Sequence, residues 1–400
     1  MTFVRSFRDP IHGFIHADRL ESELINSAPL QRLRSIHQLA FTHMVYPGAE
    51  HTRFPHVLGA MALAGRVYDV LAARSDGLLD PDPRALPRRL VRIAALVHDI
   101  GHAPFSHSAE ELFEEGIDHE EMSRRLLAID EMAAIFDEHG DGVTAEAVAR
   151  LLGRPEGPAE RLLSQVVSGE LDVDKMDYLM RDSLHCGVRY GHFDLDRLLE
   201  TMLPIRDPQR GSWGIGVEEG GVHALEALVM ARYYMFTQVY FNVTGKALEL
   251  HFSEWLRETG RRWPADPLRF LEHDDVSVLS EMRRSDSLHA RAVVERRRFP
   301  LAYETHEHLT PAEKAEFEAL LPRLLAQFGP ERLLVSNSAK DPHRLAEGPV
   351  LVRSAGGRLQ PMEEASQFIR HLERIERYRI YSPPEIRERV AAAVETGLTA

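Results

Sequence analysis

Apolar and polar positions over the first 260 residues alternate mostly at helical spacing. In "DRLESELINSAPLQRLRSIHQL", Leu20, Leu24, Leu30, Leu33 and Ile36 follow three- and four-residue steps interrupted at Pro29, which predicts helix broken at the proline. "HVLGAMALAGRVYDVLAAR" predicts a helix rich in small residues, able to approach its neighbours closely. "SDGLLDPDPRALP" reads as a loop from its Pro, Gly and Asp content. Helical patterns resume over 87–100, 107–115, 119–138, 144–153 and 158–168. "GSWGIGVEEGGVHALEAL" predicts a short hairpin feeding a helix, and 222–257 reads as one long helix.

The pattern changes after about residue 260. "ARAVVERRRFPLAYETH", "ERLLVSNS" and "GPVLVRSAGGRLQPM" predict strands, with helices between them and in the tail. The expectation is a mainly α chain: a helical part over 1–260 and a smaller α+β C-terminal subdomain over 261–400 that makes oligomer contacts or covers a cleft. Neither an internal repeat nor a low-complexity linker is visible.

Composition narrows the function classes. A net charge of −14 over 400 residues argues against strong nucleic-acid binding, which calls for a basic face, but leaves room for a local cationic pocket. The single cysteine, Cys186, excludes an intrachain disulfide framework and fits a reducing compartment. The start "MTFVRSFRDPIHG" has no apolar leader core, and no apolar run reaches membrane-spanning length. The expected location is cytoplasmic, with no membrane partner. Twenty-one histidines direct attention to metal and proton chemistry.

The stretch "RIAALVHDIGHAPFSH" ends an apolar helix on His98 and Asp99. Burial up to position 97 carries Asp99 toward the interior, where an unpaired carboxylate would cost roughly several kcal/mol and so needs a cation. A metal ion also uses the adjacent imidazole. The chain holds its own control, because His273-Asp274 lies in a polar setting and reads as a surface turn or helix cap. Adjacent helical residues point about 100° apart, so other helices must complete the site. Upstream, His56 opens the small-residue helix; downstream, "LDVDKMDYLMRD" offers Asp172, Asp174, Asp177 and Asp182. Two imidazoles with two carboxylates suit Mn, Fe, Zn, Ni or Mg.

"RDPIHGFI", "QRLRSIHQLAFTHMVYPGAEHTRFPHVLG", "HDIGHAPFSH", "DHEEMS" and "LDVDKMDYLMRDSLHCGV" together resemble the HD-domain deoxynucleoside triphosphate triphosphohydrolases, the dGTPase-like branch, without a SAM domain. The resemblance covers about residues 5 to 255 closely and the C-terminal part more loosely. It implies an HD-domain helical core holding a divalent metal ion on His56, His98, Asp99 and Asp174. It places Arg53, Lys175 and Arg232 on the substrate triphosphate and His102, His107 and His119 at the reacting phosphate. His119 is then the general acid or proton relay, oriented by Glu120. Gln38 and Asp182 are implied to bond the 3′-hydroxyl, and Leu39, Tyr178 and Tyr240 to crowd the sugar. Asn242 and Val243 stand where relatives often carry a histidine and a polar or basic residue, which leaves dGTP alone and a broader dNTP range both open.

The same resemblance implies a homo-oligomer with an activating nucleotide near Gln31, Arg32 and Arg34. Ser27 occupies a position that is acidic in nucleotide-activated relatives, which speaks against a guanine-specific activator. The expected reaction is metal-dependent hydrolysis of a dNTP at the α-phosphorus, giving a deoxynucleoside and inorganic triphosphate. The alternatives are an HD phosphohydrolase for a monophosphate, cyclic nucleotide or alarmone, and a catalytically inactive nucleotide sensor.

Overall fold

The computed structural model describes residues 3–106, 112–114, 116–340 and 350–398. Most of them are helical, with three small sheets among the described residues. The first strands lie where no strand was predicted. Arg5–Asp9 and Gly13–Ala17 form an antiparallel hairpin with Asp9 opposite Gly13. Asp9 Oδ1 accepts hydrogen bonds from the Ile11 and His12 amides, both at 2.9 Å, and Gly13 takes the left-handed φ of 73° that favours glycine. "DPIHG" is therefore a tight turn whose product is a fixed His12.

Helices Arg19–Asn26 and Ala28–Arg32 meet at Ser27. The break precedes Pro29, because a proline in the first helical turn has no amide bond to lose. Arg53–Ala73 is long and apolar enough to cross a membrane by length and composition only, with Arg66 and Asp69 interrupting its apolar run; 72% of its apolar window is buried. It packs against Leu86–Val97 and Val173–Cys186 and is a core helix. Its small residues permit that approach: a Cβ on Gly59 would lie 1.9 Å from Asp177 Oδ1 and 2.5 Å from the Arg181 guanidinium. Gly101 plays the same part beyond His98. A Cβ there would meet the His119 carbonyl oxygen at 2.1 Å. The Gly101 amide donates to Ser123 Oγ at 2.9 Å, and that hydroxyl donates to the His98 carbonyl at 2.8 Å. The turn after His98 is thereby pressed onto the start of helix His119–Leu127.

Several expected elements are divided differently. The pattern over 119–138 is two helices, His119–Leu127 and Asp130–His139. The pattern over 222–257 is Val222–Met235, a π-helical segment Phe236–Tyr240, and Val243–Thr259. Asn242 causes the restart, its side chain capping the amides of Thr244 and Gly245. The helix predicted over 107–115 falls largely outside the described residues; of the remainder, Phe113 makes a β-bridge with Trp263. In "ARAVVERRRFPLAYETH" only Leu301–Glu304 is a strand, while Leu288–Val294 is a helix capped by Ser287.

Packing does not divide at residue 260. Trp263, Phe270, Val278, Met282, Val293, Val352 and Ile369 share the main core with the N-terminal helices, and strand Leu351–Arg353 runs parallel to Trp213–Glu218. A separate core forms where helices Pro311–Phe328 and Arg387–Leu398 cover a sheet ordered Leu301–Glu304, Ile375–Tyr381, Leu334–Lys340. The two regions meet at His251. Its Nε2 accepts the Phe299 amide at 3.0 Å, so its proton sits on Nδ1, facing His289 Nδ1 at 2.8 Å.

Gly59→Ala should cost about 1–3 kcal/mol in urea unfolding, the usual scale of overpacking. Gly245→Ala, in the first turn of its helix with nothing within 4 Å of its new methyl, should instead gain about 0.4–1 kcal/mol, because alanine loses less backbone entropy on folding. Burial, followed by the charges of His289 and Arg298, pushes His251 down to about 3. Between the unfolded value of about 6.5 and that folded value, the unfolded chain takes a proton the native one refuses, so stability falls as pH drops through this window. Urea midpoints across it should fall less steeply for His251→Gln than for the wild type.

Candidate active site

Three helices bring the expected ligands together. His56 stands in the first turn of Arg53–Ala73, His98 and Asp99 follow Leu86–Val97, and Asp174 lies in the first turn of Val173–Cys186. His56 Nε2 and His98 Nε2 lie 3.1 and 3.6 Å from Asp174 Oδ1. The Asp99 carboxylate is 3.7 Å from the first and 3.3 Å from the second. His56 Nδ1 donates to Asp177 Oδ2 at 2.8 Å, and His98 Nδ1 donates to the Ala95 carbonyl at 2.8 Å. Both acceptors can only accept, so each ring carries a proton on Nδ1 and turns an Nε2 lone pair inward. Those two Nε2 atoms are buried and have no hydrogen-bond partner. Two buried lone pairs facing two carboxylates are the donor set a divalent cation satisfies, so the residues fit a metal. With a proton in that place, burial lowers the His56 pKa, but hydrogen bonds from the ring to Asp174 and Asp177 outweigh it and raise the value to about 10.

The sequence left Asp177 open as a ligand, and the structure turns it to the outer side of His56. It accepts from His56 Nδ1, from His12 Nε2 at 2.7 Å, and from Arg181 Nε and Nη2 at 2.8 Å each. Arg181 also donates to Asp9 at 2.9 Å. Burial opposes ionisation of Asp177, yet Arg181 and the imidazoles hold its pKa well below the carboxylate range. His12 and Arg181 escaped the sequence reading. Their only local signals were the "DPIHG" turn and the four-residue step from Asp177 to Arg181.

Arg53, Lys175 and Arg232 line one cavity of about 540 Å³ together with His98, Asp99, Asp174, His102 and His119. Each cation is paired with a carboxylate: Arg53 with Asp99, Lys175 with Asp172, and Arg232 with Glu170 at 3.2 Å. Arg53 Nε also donates to Ser106 Oγ at 3.0 Å. Lys340, delivered by the end of strand Leu334–Lys340, lines the same cavity. Nothing around it in sequence marked it. Burial, then the charges of Arg232 and Lys175, lower its pKa.

His102 Nε2 lies 3.1 Å from Asp99 Oδ1. Its ring stacks on His119 with centroids 4.3 Å apart at 13°. His107 lies outside the described residues. Glu120 lines the cavity but is exposed, with its carboxylate 4.0 Å from Arg124. Gln38, Leu39, Tyr178, Asp182 and Tyr240 line the same cavity. The Tyr178 and Tyr240 rings meet edge-on at 6.2 Å. Tyr240 Oη donates to Asp182 Oδ2 at 2.7 Å and His51 Nε2 to Oδ1 at 2.9 Å. His51 was not foreseen. The π-helical segment after Met235 ends on Tyr240, and such irregularities often mark functional sites.

The three residues expected near an activator do not act alike. Arg32 is buried, donates to the carbonyls of His273 and His102, and lies 4.4 Å from the centre of the Phe270 ring. Its guanidinium is buried and two of its nitrogens are bonded inside the fold, which corrects its expected role at a nucleotide between subunits. Arg34 is exposed, stacks 3.6 Å over Phe54 and donates to Gln31 at 2.9 Å. Asp274 caps helix Asp275–Arg283, as its polar setting implied.

A model of the HD domain matches residues 53–182, the span from Arg53 to Asp182, and a model of the HD associated region matches residues 193–399. The chain belongs to the HD-domain family. This HD-domain protein resembles the deoxynucleoside triphosphate triphosphohydrolase SAMHD1 homolog of Dictyostelium discoideum at 31% identity over 263 residues, 62% of this chain and 48% of the relative. It spans about half to three-fifths of the length of the curated relatives it matches. A hypothetical protein from Aquifex aeolicus superposes with a TM-score of 0.83 at 31% identity, covering 98% of this chain and 99% of that one. A phosphohydrolase from Bacteroides thetaiotaomicron superposes at 0.75 and 25% identity, covering 94% and 99%.

Asp177→Asn removes the anion that orients the His56 ring and one of the two carboxylates paired with Arg181, leaving it Asp9 alone. It should lower metal affinity about 10- to 100-fold, as loss of a ligand-orienting carboxylate does, and cost about 3–5 kcal/mol from a broken buried ion pair. Calorimetric metal titration and urea unfolding of the one variant measure both.

Proposed function

We propose that this chain hydrolyses deoxynucleoside triphosphates at the α-phosphorus, giving a deoxynucleoside and inorganic triphosphate. One observation carries the reading: His98, Asp99 and Asp174 of the ligand cluster line the same cavity as Arg53, Lys175, Arg232, Lys340 and the tyrosines Tyr178 and Tyr240. The triphosphate relative found by comparison supports the substrate class. A divalent ion on the four ligands would supply a Lewis acid beside the phosphate and a water of lowered pKa.

Arg53, Lys175, Arg232 and Lys340 bind the triphosphate oxygens. The carboxylates already paired with the first three hold the cradle assembled, so little side-chain ordering is left for binding. His119 donates the proton that the departing 5′-oxygen needs, and His102, stacked against it, faces the reacting phosphate. Gln38, whose buried Oε1 has no hydrogen-bond partner, and Asp182 receive the 3′-hydroxyl. Tyr178, Tyr240 and Leu39 leave no room for a 2′-hydroxyl. Within the same proposal, exposed Arg34, with half-buried Gln31 bonded to it, is the part of "QRLR" that would meet an activating nucleotide in an oligomer.

Each dNTP incubated with Mn or Mg should yield deoxynucleoside plus intact triphosphate by chromatography. Monophosphate with pyrophosphate, or no turnover with any metal, rejects the reading. Asp174→Ala should reduce turnover at least about 10³-fold, the equivalent of about 4 kcal/mol, and lower the bound metal; retained activity would remove Asp174 from the ligand set.

A further inference from the structure

A second set of metal-type donors lies in the segment after "QRLR", outside the cavity just described. His37, His43 and Glu50 each place one ligand atom within 4.8 Å of the other two. The two rings are stacked, with centroids 4.6 Å apart at 20°. Glu50, with a side chain 63% exposed, opens the group to solvent.

The hydrogen bonds around the rings choose their tautomers. His37 Nδ1 donates to Asp275 Oδ2 at 2.7 Å, and His43 Nδ1 donates to the Ala40 carbonyl at 3.0 Å. Each acceptor lacks a proton to give, so Nε2 is the lone-pair nitrogen of both neutral rings. This is the outer support that metal-binding histidines have, one from a carboxylate and one from a carbonyl. It repeats what Asp177 and Ala95 do for His56 and His98. His37 Nε2 already stands 3.3 Å from Glu50 Oε2. Neighbouring ligand atoms on a tetrahedral ion with bonds of about 2.0–2.1 Å are separated by roughly that distance. Glu50 and Asp275 together balance a dication. A protonated His37 between these two carboxylates accounts for the contacts of His37, whereas a shared ion accounts for the placement of the His43 ligand atom as well.

We propose that His37, His43 and Glu50 form a second divalent-metal site of the zinc class, with its remaining position open to water. The ion would brace the sugar end of the cavity without touching substrate. Gln38 and Leu39 follow His37 directly, and Ala40, which accepts from His43, has the left-handed φ of 43°. Asp275 Oδ1 in turn accepts the Phe105 amide at 2.8 Å, holding another left-handed residue, at φ 56°, beyond His102.

Metal-depleted wild type, Glu50→Gln, His43→Gln and His56→Gln are titrated with zinc alone by calorimetry, and bound ions are counted after gel filtration. Glu50→Gln and His43→Gln should bind one fewer zinc per chain than the wild type, while His56→Gln keeps the ion those two lose. Glu50 is exposed, so its variant reports on binding with the fold intact. An ion count in Glu50→Gln and His43→Gln equal to that of the wild type overturns the site. Turnover is not the readout, so the result stands apart from the proposed reaction.

Discussion

The site depends on one buried carboxylate. Asp177 has no exposed surface and accepts four hydrogen bonds, two from Arg181, one from His56 and one from His12. An unpartnered carboxylate in that position would be strongly destabilising; a fully satisfied one ties the N-terminal hairpin to two core helices. It also decides which nitrogen of His56 faces the other ligands. Gly59 is required at the crossing because a methyl group would occupy the place of Asp177 Oδ1. Backbone approach, ion pairing and ligand tautomer therefore form one constraint.

Around that anchor the chain gathers cationic side chains although its net charge is −14. Arg53, Lys175 and Arg232 enter the cavity already paired with carboxylates, which lowers the cost of gathering like charges in a partly buried space. The loop beyond His102 carries left-handed Phe105 and Ser106. Such backbone is costly and persists only where neighbours over-determine it. Asp275 holds the Phe105 amide, Ser106 accepts from Arg53, and Arg32 holds the His102 carbonyl. Arg32, expected near an activator, instead supports the loop that follows Asp99.

The C-terminal half does more than cover a cleft. Parts of it complete the main core, and a sheet built on a separate core carries Lys340 to the cavity. The joint between the two regions includes the His251–His289 pair, whose hydrogen bonds require His251 to be neutral.

Sequence by itself determined what local spacing and covalent order can carry: the mostly helical character of residues 17–260, the small-residue helix, the apolar run that delivers His98 and Asp99, and the separate status of His273-Asp274. The expected ligands also converge, because motif order reflects a shared packing of helices. Only the tertiary structure decided which nitrogen of His56 faces inward, since that depends on an acceptor 121 residues away. The same holds for the roles of His12, His51, Asp177 and Lys340, and for the burial of Arg32. A residue's neighbours in space set its protonation, pairing and exposure, and no periodicity along the chain records them.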